Sequence, residues 1–216
     1  MFNALPLIKI LYMKKVFLLA VILGIAGLVA YELLSKKEIK PEEKKESPLL
    51  ISKKSDAFNM SLSNILDNYY ALKAALVDWD SLGANHSASN LLVSADRLQL
   101  SELKADSNIV GTARSLVLSI SSEAKGLIGE NNIEQKRRAF NMLTDELYNL
   151  IRTVRYDREI IYHIKCPMAF NDSSEAFWLS NTPKIVNPYL GNKHPVYKTK
   201  MLGCGEIIDS LDFSKK

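Results

Sequence analysis

Apolar residues recur at intervals of three and four through the middle of the chain, which is the pattern of amphipathic α-helices. The clearest stripe consists of Leu62, Ile65, Tyr69, Leu72 and Leu76. Ser55 or Asp56 stands just before it, where a helix N-cap is expected. The pattern therefore predicts a first helix that begins near residue 56 and buries one face.

Three further helices are predicted by the same spacing. The second is expected over residues 85–98 and the third over residues 107–127. The fourth begins after Asn132, where Gln135 three places later completes the pattern of a capping box. Four helices with short connections indicate an up-and-down antiparallel bundle, which is expected to occupy residues 55–157.

The helical period stops near Arg158. Ile160–Ile164 could form a short strand, but prolines and glycines then interrupt the sequence and predict turns: Pro167, Pro183, Pro188, Gly191, Pro195, Gly203 and Gly205. Residues 158–212 are therefore expected to form an irregular segment packed on the bundle. The predicted fold class is all-α, a four-helix bundle that carries this segment and is preceded by an N-terminal membrane helix.

An uninterrupted apolar run covers Val16–Ala30 and follows the basic residues Lys14 and Lys15. A charged region before an apolar one is the layout of a signal sequence. Extended to Leu34, the run reaches 19 residues, close to the roughly 20 that span a bilayer. We therefore expect residues 1–34 to anchor an extracytoplasmic domain in the inner membrane; the alternative is a cleaved signal peptide and a secreted domain.

Residues 35–54 are rich in Lys and Glu and have almost nothing to bury, so a solvated linker is predicted. The formal net charge of the chain is +4, but the part through Lys54 holds 10 Lys and 5 Glu, against 18 basic and 19 acidic residues from Ser55 onward. The domain after the linker is thus close to neutral. Nucleic acid is not expected as a partner, because binding it depends on neutralising phosphates.

The predicted bundle holds no recognisable catalytic constellation. His86 stands among Ser and Asn, where a solvated side chain is the simplest interpretation. The acidic pairs Asp78/Asp80 and Asp145/Glu146 are spaced to lie on different faces of a helix, so they do not suggest a general acid and base. We therefore expect no enzyme activity.

Sulfur and imidazole side chains concentrate in the C-terminal segment. His163, Cys166 and Met168 lie within six residues, and Met201 and Cys204 form a second group. Thiolate and thioether ligands select Cu(I), with imidazole as an acceptable partner. Zinc would make no use of the methionines. Some of these five residues are therefore predicted to bind Cu(I) or another soft metal ion, with packing as the alternative role of the two methionines.

A disulfide is the alternative for the same two cysteines. Cys166 and Cys204 are the only cysteines of the chain, and two cysteines in an exported domain often form one bond. Spacing alone favours the disulfide slightly over metal ligation. In that case the segment would be an interaction module that presents Trp178 and Tyr189 to a partner.

The segment and the helices together resemble a family of periplasmic domains of unknown function, DUF3347. The resemblance rests on an ordered series of motifs: Cys166-Pro167-Met168-Ala169, Trp178-Leu179, Asn187-Pro188-Tyr189-Leu190-Gly191, Met201-Leu202 and Cys204-Gly205, with Tyr69–Lys73 and Phe140–Thr144 on the helices. It covers about residues 55–212. The chain departs from the family pattern by inserting residues 192–200, which include His194.

Domains of this family occur alone in Bacteroidetes-type bacteria and attached to copper or heavy-metal efflux adaptors of the CusB type. The resemblance therefore implies an exported domain that binds or delivers copper or a related soft metal, with efflux components as partners. We expect an extracytoplasmic soft-metal binding protein in metal homeostasis, resistance or efflux. The alternative is a disulfide-stabilised interaction module without bound metal.

Overall fold

In the computed structural model, the described residues are Leu28, Tyr31, 54–171 and 173–215. The residues from 54 onward belong to one compact unit. It contains four α-helices, which are α1 (Asp56–Val77), α2 (Ser81–Asp96), α3 (Ser107–Gly129) and α4 (Ile133–Val154). A short 3₁₀ turn, Leu100–Glu102, lies between α2 and α3. Three strands complete the unit, which are β1 (Ile161–Phe170), β2 (Ser174–Ser180) and β3 (Glu206–Leu211).

Each of these helices begins at a polar side chain that accepts a hydrogen bond from a backbone N–H group of the first turn. The four capping residues are Ser55, Asp80, Asp106 and Asn132. Such caps satisfy donors that the start of a helix leaves without an intrahelical partner. The predicted caps at Ser55 and Asn132 are confirmed. Helix α2 begins earlier than predicted, because Asp80 caps it.

Helices α1 and α4 and strand β2 meet at Tyr69, which is fully buried. Its ring stacks on Phe140 of α4, with 5.0 Å between the ring centroids. Its hydroxyl lies 2.8 Å from the Thr144 hydroxyl and accepts a hydrogen bond from the backbone N–H of Leu179 at 2.9 Å. One tyrosine therefore joins the helices to the sheet through both packing and polar contacts.

The sheet has the strand order β2-β1-β3, and both pairings are antiparallel. On one side of β1, Ile164 faces Trp178 of β2; on the other, Lys165 faces Glu206 of β3. Helix α4 packs against β2. The central strand β1 is therefore held between two partners and ends beside the loops that precede β3.

The predicted all-α fold class is wrong: the four helices are present, but the C-terminal segment forms a sheet and the unit is mixed α/β. Pro167 was interpreted as a turn signal, yet it lies inside β1. It sits where the register between β1 and β2 shifts, between Cys166 and Phe170, and such irregular positions tolerate a residue without an N–H group. Strand β3 exposes five of its six residues, so it carries no apolar alternation.

No helix within the described part of the chain is long and apolar enough to span a membrane. The signal anchor or signal peptide expected over residues 1–34 and the linker expected over residues 35–54 lie outside the described residues, apart from Leu28, Tyr31 and Lys54.

Candidate functional site

Two cysteine thiols meet just beyond the end of the β1–β3 pairing. Lys165 and Glu206 form the last pair of that ladder, so Cys166 and Cys204 lie next to it on adjacent segments. Their Sγ atoms are 3.7 Å apart and unbonded. Gly205 allows this approach, because a Cβ atom there would lie 2.6 Å from a buried tryptophan ring and 3.0 Å from a β1 carbonyl oxygen.

The two thiols differ in exposure. Cys166 is buried and Cys204 is partly exposed. Burial, followed by the effect of the neighbouring Cys166, raises the pKa of the Cys204 thiol to about 11. The thiolate is the form that attacks substrates and binds metals. Cys204 is therefore protonated at neutral pH, which is the opposite of the activation that a catalytic cysteine requires.

A buried asparagine fastens the cysteine loop to the turn of the Asn187–Gly191 motif. The Asn187 side chain donates a hydrogen bond from Nδ2 to the carbonyl oxygen of Cys204 at 2.7 Å. Its Oδ1 accepts hydrogen bonds from the backbone N–H groups of Tyr189 and Leu190, at 2.8 Å and 3.0 Å. The position of Cys204 therefore depends on a fully buried polar side chain 17 residues earlier.

His163 does not join the cysteine pair. It precedes Cys166 by three residues on β1, and residues an odd number apart on a strand point to opposite faces. Its ring stacks on Tyr148 at 4.2 Å and lies 5.2 Å from Phe177. Burial lowers the pKa of His163, and Asp209 opposes this in part. Its buried Nε2 has no hydrogen-bond partner among the described residues.

The predicted soft-metal ligands are therefore not assembled as one group. Met168 and Met201 are partly buried and pack against the hydrophobic core. Within residues 54–171 and 173–215, no three His, Cys, Asp or Glu side chains are arranged to hold a metal ion. Metal binding by some of His163, Cys166, Met168, Met201 and Cys204 therefore stays a prediction. Of the five, the sheet brings together the two cysteines.

The aromatic residues expected to be presented to a partner are core residues. Trp178 and Tyr189 are almost fully buried, and the Tyr189 hydroxyl donates to the carbonyl oxygen of Phe177. Their role is to hold the C-terminal segment on the fold. His194 lies apart from the cysteines, beside Trp79, with 5.8 Å between the ring centroids.

Sequence reasoning missed Arg137, although its position contained a signal. It follows Ile133 by four residues and precedes Phe140 by three, so it falls on the apolar stripe of α4. Its exposed fraction is 3%. A charged residue in a buried stripe requires a compensating environment.

Residues 65–159 match the model of a family described as "Protein of unknown function (DUF3347)". The match begins within α1 and ends before β1, so the sheet and both cysteines lie outside it. No curated protein and no solved structure matches the chain. The family match carries no statement about compartment or efflux adaptors. The match confirms the resemblance to the DUF3347 family over residues 65–159.

Proposed function

We propose that this chain is a non-catalytic, extracytoplasmic binding module whose C-terminal segment is locked in place by a disulfide between Cys166 and Cys204. The observation that carries the proposal is the 3.7 Å separation of their Sγ atoms. A disulfide bond is about 2.05 Å long, so the sulfurs must approach by about 1.7 Å. Cys204 lies outside the strands, so a shift of that size there would leave the pairing of β1 with its neighbours intact.

The chemistry requires only a thiol oxidant. Each thiol loses one hydrogen atom as the S–S bond forms, and two electrons and two protons pass to the disulfide of an oxidoreductase, which becomes a dithiol. Extracytoplasmic compartments maintain such oxidants. The raised pKa of Cys204 makes it a poor leaving group in thiol exchange, so the bond would exchange slowly once formed. This behaviour suits a structural bond better than a catalytic one.

The bond would act on a large part of the C-terminal segment. It closes a loop of 39 residues that includes β2 and the Asn187 turn. The chain-entropy relation gives about 4 kcal/mol of stabilisation for a loop of that length. The surface that this segment forms would then keep its shape in the absence of a ligand, which is an advantage for a binding module.

Peptide mapping under non-reducing conditions tests the proposal. The full chain is equilibrated with a glutathione buffer poised at the potential of the endoplasmic reticulum, and a linked Cys166–Cys204 peptide is expected in nearly all molecules. In urea unfolding of the same sample, reduction should lower the free energy of unfolding by about 4 kcal/mol. The free energy of unfolding of a Cys166→Ser/Cys204→Ser variant should not change with reductant. Recovery of both cysteines as free thiols under these conditions would refute the proposal.

The role in copper or soft-metal handling that the sequence suggested stays a prediction. The cysteine pair offers two sulfur ligands, and a metal would have to displace the proton of Cys204. Titration of the reduced full chain with Cu(I) against a competing chelator decides the matter, with the double serine variant as control. Affinity that depends on both cysteines supports the metal function, and equal affinity of the two proteins excludes it.

A further inference from the structure

Arg137 is buried, and the negative charge of Glu134, three residues earlier, acts on it without direct contact. Its Nε donates to the carbonyl oxygen of Pro188 at 2.8 Å and its Nη2 to that of Leu76 at 2.9 Å. Its guanidinium carbon lies 4.0 Å from the centre of the Trp79 ring. Within the described residues, no carboxylate approaches it within 4.0 Å. Two carbonyl oxygens and an aromatic face reduce the cost of burying this charge but do not neutralise it.

A cavity of about 320 Å³ lies beside this guanidinium. Arg137 forms part of its lining, and the rest of the lining is mixed: apolar and aromatic contributions come from Trp79, Ile133, Phe170, Tyr189, Leu190 and Pro195, and polar ones from Asn132, Glu134, Asn171 and His194. Ligand sites in proteins have volumes of about 300–1,000 Å³, mostly apolar walls and a few polar groups that fix the orientation of the ligand. This cavity fits the lower end of that range.

The charges around the cavity favour an anion. The N-terminus of α4 forms one edge, and the helix dipole places partial positive charge there. Glu134 also lines the cavity, but Arg138 pairs with it at 3.4 Å. Burial lowers the pKa of Arg137 to about 10, so the guanidinium remains charged at neutral pH.

His194 adds a further polar group to the lining. Its Nδ1 accepts hydrogen bonds from the backbone N–H groups of Val196 and Tyr197, both at 3.2 Å. In the neutral ring the proton is therefore on Nε2. Asn132, the cap of α4, also borders the cavity.

We propose that the cavity between α4 and the Asn187–Gly191 turn binds a small organic acid, with its carboxylate at Arg137 and an apolar body against the aromatic walls. Carboxylates and guanidinium groups form strong charge-assisted hydrogen bonds, which would supply a negative charge in direct contact. The apolar walls require more than an inorganic anion, since an anion alone would leave them in contact with water. Neither cysteine lines the cavity.

Titration with phenylacetate tests this site in the reduced full chain, with Trp79 fluorescence and calorimetry as readouts. Saturable binding is expected. Phenylacetamide has the same shape without the charge and should bind about ten-fold more weakly or worse, because the charge-assisted hydrogen bond is lost. Inorganic phosphate and sulfate should compete poorly, because they leave the apolar walls uncovered.

Two variants locate the binding. Arg137→Gln should weaken phenylacetate binding about ten-fold or more, after circular dichroism has established that it folds. Ile133→Trp keeps Arg137 but fills the cavity, and it should abolish binding; Ile109→Trp, an isoleucine exchange in the first turn of α3, should leave binding unchanged. Equal affinity for the acid and the amide, competition by phosphate as strong as by phenylacetate, or full binding by Ile133→Trp would each overturn the proposal.

Discussion

Replacement of Asn187 by alanine is expected to lower the free energy of unfolding by far more than an ordinary single substitution does. The side chain makes three hydrogen bonds to backbone groups. Alanine leaves the carbonyl oxygen of Cys204 and the N–H groups of Tyr189 and Leu190 without these partners. Both of the latter residues are buried, so water cannot easily replace the lost acceptor.

The size of the effect follows from those groups. A buried backbone donor left without a partner costs about 1–3 kcal/mol, and two such donors are created. The Cys204 carbonyl is in a partly exposed residue and adds less. We therefore expect Asn187→Ala to lower the free energy of unfolding by about 3–5 kcal/mol, a large fraction of the stability of an ordinary domain.

Urea unfolding followed by far-ultraviolet circular dichroism measures this loss. The buffer should contain reductant, so that no disulfide compensates for the lost hydrogen bonds. Asn192→Ala is the matched control from the same loop, because the Asn192 side chain bonds to Asp78 in an exposed contact; it should cost no more than about 1 kcal/mol. Equal losses for the two variants would show that Asn187 does not carry the organising role assigned to it.

Three other predictions concern the backbone, the core and the pH response. Gly191→Ala should lower the free energy of unfolding by about 2 kcal/mol or more, because φ is +61° and the new Cβ would lie 2.5 Å from a carbonyl oxygen at the end of α1. Gly111→Ala in α3, where the new Cβ would meet no described residue outside its own helix within 4 Å, should raise it by about 0.5–1 kcal/mol. Similar effects of the two variants in urea unfolding would contradict this prediction. Tyr69→Phe should cost about 1–3 kcal/mol in the same assay, because a buried N–H group of β2 loses its acceptor; an unchanged midpoint would contradict it. Burial lowers the pKa of His163, so the unfolded chain binds that proton more readily and stability should fall as the pH drops from about 7 to about 5.5; His163→Phe should reduce this slope, and an unchanged slope would show that another group causes it.

The helices could be predicted from the sequence because each buries a stripe that repeats every three or four residues. The stripe of α1 contains Leu62, Ile65, Tyr69, Leu72 and Leu76, all of which are buried. The sheet could not be predicted in the same way. Strand β1 contains Pro167 at an irregular position, and β3 buries only Leu211, so neither strand shows a clean alternation along its whole length.

The candidate site could not be predicted either, because the sheet that brings the two cysteines together was not predicted. Cys166 and Cys204 are 38 residues apart, and spacing alone cannot distinguish a disulfide from two unrelated thiols. The short spacing between His163 and Cys166 indicated a shared site, but strand geometry separates their side chains. Arg137 shows the converse case: its place in an apolar stripe was visible in the sequence, whereas its cavity is formed partly by residues far along the chain.

The strand order also determines when parts of this fold can form during synthesis. Strand β1 can pair with β2 soon after both are made, since a tight connection joins them, but its other edge stays open until β3 follows. Cys166 is likewise made long before Cys204. A growing chain therefore exposes an unpaired strand edge and a single thiol at the same time, and both favour association with other chains. Strand β3 closes the edge and brings the second sulfur beside the first, so the risk of aggregation and mispaired disulfides is greatest before β3 has been made.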